Sequence, residues 1–184
     1  CPTFLPNDRM GRNVGHNINL EDWEKNWNQN YKITKSTIYK ENQYKMCYRW
    51  YLSPSKLANI YPNMSPMCWK CKQMQGTFFH SWWLCPKSKK YREKNRLWIK
   101  EITGIQLEFK PEIFLLGMLK GDYANEMKYS ILHIITAARI AFAQCWKGEQ
   151  MPTNNLITQK ILDCSEMDLL TQKLRNKEDS RYIT

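Results

Sequence analysis

Residues 68–85 read CWKCKQMQGTFFHSWWLC and set Cys68, Cys71, His80 and Cys85 in the order C-x2-C-x8-H-x4-C. A zinc ion takes four soft or borderline donors at the corners of a tetrahedron, and three thiolates with one imidazole supply them. Cys68 and Cys71 can grip an ion from a single tight turn. Gly76 sits in the loop between the two halves, where the chain must reverse, and His80 with Cys85 closes the site from one short segment. The ligand order is that of a zinc knuckle with a lengthened central loop, so a knuckle-like module is expected over residues 67–86. Four protein donors leave no open position on the ion, which marks such a site as structural. Buried thiols, or a disulfide pair beside a stray histidine, are the alternative, and an ordered Cys/Cys/His/Cys set weighs against it. Phe78, Phe79, Trp82 and Trp83 lie between the ligands. Some of them are expected to pack over the metal, because so small a module has no other core.

The surrounding chain has 184 residues, the size of one domain or of one domain with a small module. A hydrophobic content of 42% supports a core, and eight tryptophans with ten tyrosines make it aromatic. The formal charge of +11 favours an acidic partner, nucleic acid first and an anionic membrane surface second. The cysteines number seven, an odd count. Cys145 and Cys164 fall on apolar helical stretches and read as core thiols, whereas a secreted disulfide framework would be even and denser, so a reducing intracellular compartment is expected. The chain opens Cys1-Pro2-Thr3 without methionine or a secretion signal and reads as a fragment of a longer open reading frame. The longest apolar run, 131–143, is interrupted by His133 and Arg139 and falls short of a membrane span, so no membrane partner is expected.

Helical spacing dominates the remainder, and the expected fold is mainly α, about six helices with the knuckle-like insert between the third and fourth. Residues 1–19 read as linker or loop, with His16 solvated. Residues 20–66 read as N-terminal helices: one capped by Asn19 with Leu20, Trp23 and Trp27 on its core face, and one from Thr34 or Ser36 to about Tyr51. A short third helix starts at Ser53-Pro54. On the second helix Tyr44, Cys47, Tyr48 and Tyr51 recur at helical spacing while Lys40, Lys45 and Arg49 fall elsewhere. That pattern suits either phosphate contacts with base stacking or a solvated face over an aromatic core. Residues 87–175 read as a C-terminal helical domain. It opens with KSKKYREKNRLWIKEIT and a stop at Gly104, continues with a buried run at 113–119, then with the longest helix from Gly121-Asp122 to about Trp146, and closes with a helix from Pro152-Thr153. Residues 176–184 read as a frayed polar tail. His133 reads as an ordinary core histidine.

The helix after Cys85 has the densest positive charge. Its stripe is Tyr91, Trp98 and Ile102, and Lys87, Lys89, Lys90, Arg92, Lys94 and Arg96 are its candidate phosphate contacts. A solvated helix would mix lysine with glutamate more evenly. Trp69 and Trp82 are candidates for base stacking if exposed, and are equally readable as buried over the ion.

Several stretches carry a family resemblance: WYLSP at 50–54, CWKC at 68–71, GTFFHSWWLCPK at 76–87, FLLGML at 114–119 and ITAARIAFAQCWKGEQMPT at 135–153. In this order they resemble the C-terminal segment of the second open-reading-frame protein of LINE-type (non-long-terminal-repeat) retrotransposons, those of vertebrates most closely, over most of the chain from about Trp23. The resemblance implies a tail that follows an endonuclease and a reverse transcriptase, binds RNA or DNA, and assists target-primed reverse transcription in the nucleus and in a cytoplasmic ribonucleoprotein. The fragment has no Tyr-x-Asp-Asp element, no adjacent aspartates and no phosphate-cradling glycine loop, so any catalysis is expected upstream and none here. The competing expectation is a zinc-stabilised interaction module docking on the polymerase core; a standalone enzyme is the third.

Overall fold

A computed structural model of the chain describes residues 14–15 and 18–181. Most of the expected loop over 1–19, with His16, and the last residues of the expected tail lie outside the described residues. Val14, within that loop, is buried in the main core.

The fold is mainly helical. Its described elements are α1 (Leu20–Ile33), α2 (Thr37–Cys47), α3 (Pro54–Ile60), a π-helical turn (His80–Leu84), α4 (Pro86–Thr103), α5 (Pro111–Leu116), α6 (Asn125–Gln144) and α7 (Asn154–Arg181). No strand occurs among the described residues, where Met67 and Gln75 form an isolated antiparallel bridge.

Local chemistry sets most boundaries. Asn19 is extended, and its side chain accepts the Asp22 N–H at 2.7 Å, with Glu21 and Asp22 completing a favourable first turn. Proline opens α3, α4 and α5. Gly104 ends α4 in the left-handed conformation at φ 71°, its N–H bonded to the Lys100 carbonyl. Two extents differ from expectation. The second helix stops at Cys47 rather than near Tyr51, because Arg49 turns the chain at φ 51°. Gly121, at φ 135°, cannot open a helix, so α6 starts at Asn125, and α7 with 28 residues is the longest described helix. Its backbone is helical to Arg181, through the part of the tail expected to fray.

Helix α6 is the axis. From Ile131 to Phe142 every residue is buried, the pattern of a helix enclosed on all sides, and α2, α4 and α7 pack around it. One apolar cluster gathers Trp23, Tyr39, Met46, Trp82, Tyr91, Leu115, Phe142, Trp146 and Ile157; a second gathers Ile99, Leu107, Ile113, Phe114, Ile131 and Ile135. Trp23 and Trp27 pack in the first cluster as expected, but Leu20 is exposed.

Of the two readings of helix α2, an aromatic core beneath Tyr44 and Tyr48 is the one the structure does not form. Tyr39, Asn42, Gln43, Met46 and Cys47 turn inward, and Tyr44 and Tyr48 are exposed. A polar need explains part of this. The Leu116 carbonyl at the end of α5 has no partner within that helix, and Gln43 Nε2 and Asn26 Nδ2 donate to it at 2.7 and 3.2 Å. No described helix is long and apolar enough to cross a membrane.

Candidate metal centre

Two local structures build the centre. Around the first ligand pair, the Met67–Gln75 bridge closes a reversal in which the Cys68 N–H donates to the Met74 carbonyl and the Lys72 N–H to the Cys68 carbonyl, both at 2.8 Å. Lys72 takes the left-handed conformation at φ 57° to complete it. Gly76 is required by close approach and not by a left-handed φ. A Cβ there would lie 2.6 Å from Pro54 Cγ and 2.9 Å from Cys68 Cα.

The second ligand pair comes from the π-helical turn. The Cys85 N–H donates to the His80 carbonyl five residues back, at 2.7 Å. In an ordinary α-helix, positions five apart point well away from each other. The widened turn puts His80 and Cys85 on one side, and such turns recur at functional sites. Thr77 Oγ1 accepts the His80 N–H at 3.0 Å and fixes the start of the turn.

The donor atoms of Cys68, Cys71, His80 and Cys85 all lie within 4.8 Å of one another, close enough to hold a metal ion. Cys71 Sγ and His80 Nε2 are 3.4 Å apart. A tetrahedral ion with ordinary zinc bond lengths separates sulfur and nitrogen by about 3.6 Å. Cys68, His80 and Cys85 are buried and Cys71 faces the edge. Burial pushes the Cys68 thiol up. At Cys71 burial also raises the pKa, but the backbone N–H groups of Gln73 and Met74, with His80, outweigh it and bring the thiol down to about 6.

The aromatic residues between the ligands do not form a lid of their own. Trp82 is fully buried, with its ring 4.7 Å from Phe142, 5.2 Å from Trp146 and 5.3 Å from Tyr51. Phe78 stacks on Trp82, and Trp83 stacks on Phe109. The knuckle therefore shares the core of the helical body. Lys70, between the first two cysteines, reinforces the junction. It is buried, and Nζ donates to the carbonyls of Cys145 and Gln150 at 2.6 and 2.7 Å, just past the end of α6. A cation suits a helix C-terminus, although burial lowers this ammonium's pKa. Nothing in the sequence distinguishes Lys70 from the surface lysines.

The residues read as nucleic-acid contacts divide. Lys87, Lys89, Lys90 and Lys94 are exposed on α4, and Lys87 and Lys72 both pair with Glu149. Lys87, Lys90 and Lys94, at i, i+3 and i+7, form one strip. Arg92 does not belong with them. It is 3% exposed, and its guanidinium lies over the rings of Trp82, Trp83 and Phe142 at 5.8, 5.9 and 5.2 Å. The cause is the phase of the helix: Ser88, Tyr91, Arg92, Asn95 and Ile99 face the core, while Ile102, expected inside, is exposed. Arg96 is half-buried over Phe109 at 5.8 Å. Trp82, enclosed on all sides, is excluded from base stacking, whereas Trp69 is half-buried, edge-on to Trp146. On α2, Lys45 pairs with Glu41 at 2.8 Å and Lys40 lies over the Tyr31 ring at 4.1 Å; beyond its end Arg49 lies over Phe78 at 5.7 Å.

His133 was expected to be an ordinary core residue. It is buried, and it meets Cys164 and Asp168 of α7. The Cys164–Asp168 spacing of four on one helix was the one local signal of that meeting; His133 comes from another element. Compared with models of known protein families, the chain matches none.

Proposed function

We propose that this chain is a nucleic-acid-binding C-terminal segment of a LINE-type retrotransposon reverse transcriptase polyprotein, held together by a structural zinc at Cys68, Cys71, His80 and Cys85. Zinc is the metal favoured by three thiolates and an imidazole with no open position. The observation that carries the nucleic-acid reading is the placement of the four donors at the start of α4, whose exposed side bears Lys87, Lys89, Lys90 and Lys94. The knuckle fixes the first turn of this helix, so its cations meet a phosphate backbone with less ordering entropy lost than in a flexible basic tail. In this reading the segment assists target-primed reverse transcription, and the catalytic groups belong to other parts of the polyprotein.

The test is to change Lys87, Lys90 and Lys94 together to alanine and follow binding of fluorescent single-stranded RNA and duplex DNA across a salt series. Each lost phosphate contact lowers the logarithmic salt slope by about 0.7 to 0.9. Affinity is expected to fall several-fold or more with a shallower slope, while metal content and helicity stay constant. Unchanged affinity and slope would remove α4 as the binding face. A second reading would then lead: an interaction module docking on the polymerase core. The exposed aromatic side chains of Tyr31, Tyr44, Tyr48 and Trp50 favour it, Trp50 being 63% exposed.

A further inference from the structure

A second set of metal-binding side chains converges away from the knuckle, between α6 and α7. His133 Nδ1 lies 3.3 Å from Cys164 Sγ. Asp168, one turn further along α7, places Oδ2 at 3.9 Å from that sulfur and 4.0 Å from His133 Nε2. One donor atom from each residue can be chosen so that all lie within 4.8 Å of one another. Thr34 Oγ1, 3.6 Å from Sγ and 3.0 Å from both oxygens of Asp168, is within reach as a further donor.

The groups behind these donors are also in place. Tyr129 donates to Asp168 Oδ2 at 3.0 Å, and the backbone N–H groups of Lys35 and Ser36 donate to Oδ1 at 2.8 and 3.1 Å. The His133 ring packs against those of Tyr129 and Tyr39, with centroids 3.8 and 4.9 Å away. Such outer contacts orient metal ligands elsewhere. The charge balance points the same way. Asp168 is largely buried, and among the described residues no lysine or arginine pairs with it. A part-buried carboxylate is stabilised by a nearby positive charge, and a divalent ion bound by neutral imidazole, thiolate and carboxylate supplies one.

We propose that His133, Cys164 and Asp168 form a second metal site, taking a divalent ion of the zinc class and clipping α6, α7 and the link between α1 and α2 together. The proposal is independent of the nucleic-acid reading and of the knuckle's metal. The test uses the full chain, reduced and loaded anaerobically with Co2+ alone, followed by metal analysis and the thiolate-to-cobalt absorption. Two ions per chain are expected. Cys68→Ser should retain one, with a weaker thiolate band because this site has a single cysteine. Cys164→Ser and His133→Gln should each retain one, with the band of the three-thiolate knuckle. Should either of those variants fail to fold, the wild-type stoichiometry and the Cys68→Ser spectrum still decide. A single ion in the wild-type chain that Cys68→Ser removes, or two ions retained in folded Cys164→Ser, overturns the proposal.

Discussion

Gly76 leaves the knuckle no room for a side chain. Its N–H donates to the Pro66 carbonyl at 2.8 Å and its carbonyl accepts the Ser55 N–H at 3.2 Å, so the backbone is tied on both sides. The atoms a methyl group would strike include the Cys68 backbone, which cannot swing away as a long side chain would. Gly76→Ala is expected to cost about 1–3 kcal/mol, the range for overpacking a tight site. It should also weaken metal binding, because the displaced atoms carry the first ligand. Urea unfolding and competition with a chelating dye would measure the two effects, and a variant with wild-type midpoint and metal affinity would contradict the close approach.

At the scale of the element, the phase of α4 decides which cations are free. Arg92 sits among seven basic residues of one helix, and its neighbours Lys89, Lys90 and Lys94 are solvated. It is buried because it follows Tyr91, whose hydroxyl donates to the Ala138 carbonyl at 3.0 Å and locks that side of the helix against α6. Burial brings the guanidinium down to about 9 from its usual range, reinforced by Arg139 and opposed by Tyr91 and Cys85, and the surrounding rings partly offset the lost hydration. Arg92→Ala is therefore expected to cost stability, about 2–5 kcal/mol as for other large-to-small changes in a core, and to leave the salt slope of the proposed nucleic-acid binding unchanged. Thermal melting beside a salt titration separates the two outcomes, and a stable variant with a reduced slope would return Arg92 to the surface.

For the whole molecule, the shared core governs what loss of the proposed metal would do. A freestanding knuckle would unfold alone, since metal binding and folding are coupled in small sites. Here Trp82 and Phe78 belong to the main cluster and Lys70 reaches past the end of α6. Chelation is expected to raise hydrogen exchange across residues 67–86, the first turn of α4 and the last turn of α6, and to spare the contacts of α2 with the middle of α6. Exchange confined to residues 67–86 would show that the module is separable after all.

Much of this was legible in one dimension because its causes are local. The Cys/His spacing, the Asn19 cap, the prolines that open helices and the glycine that stops α4 act over a few residues, and the structure places them as the sequence implies. Helical content followed for the same reason, since periodic apolar residues report a face without reporting its partner. The partner was decided only in three dimensions. Gln43 turns inward where an open carbonyl of α5 meets α2, although Tyr44 of the same helix is more apolar. Arg92 and Lys70 are indistinguishable in sequence from solvated cations, and aromatic rings or carbonyls from distant segments enclose them. Trp82 could have capped the ion or stacked a base, and it instead fills the space beside Phe142. His133 met Cys164 and Asp168 because α6 and α7 pack side by side. Sequence spacing fixes which groups share a turn, whereas the burial of a charge or a ring depends on what a remote element sets against it.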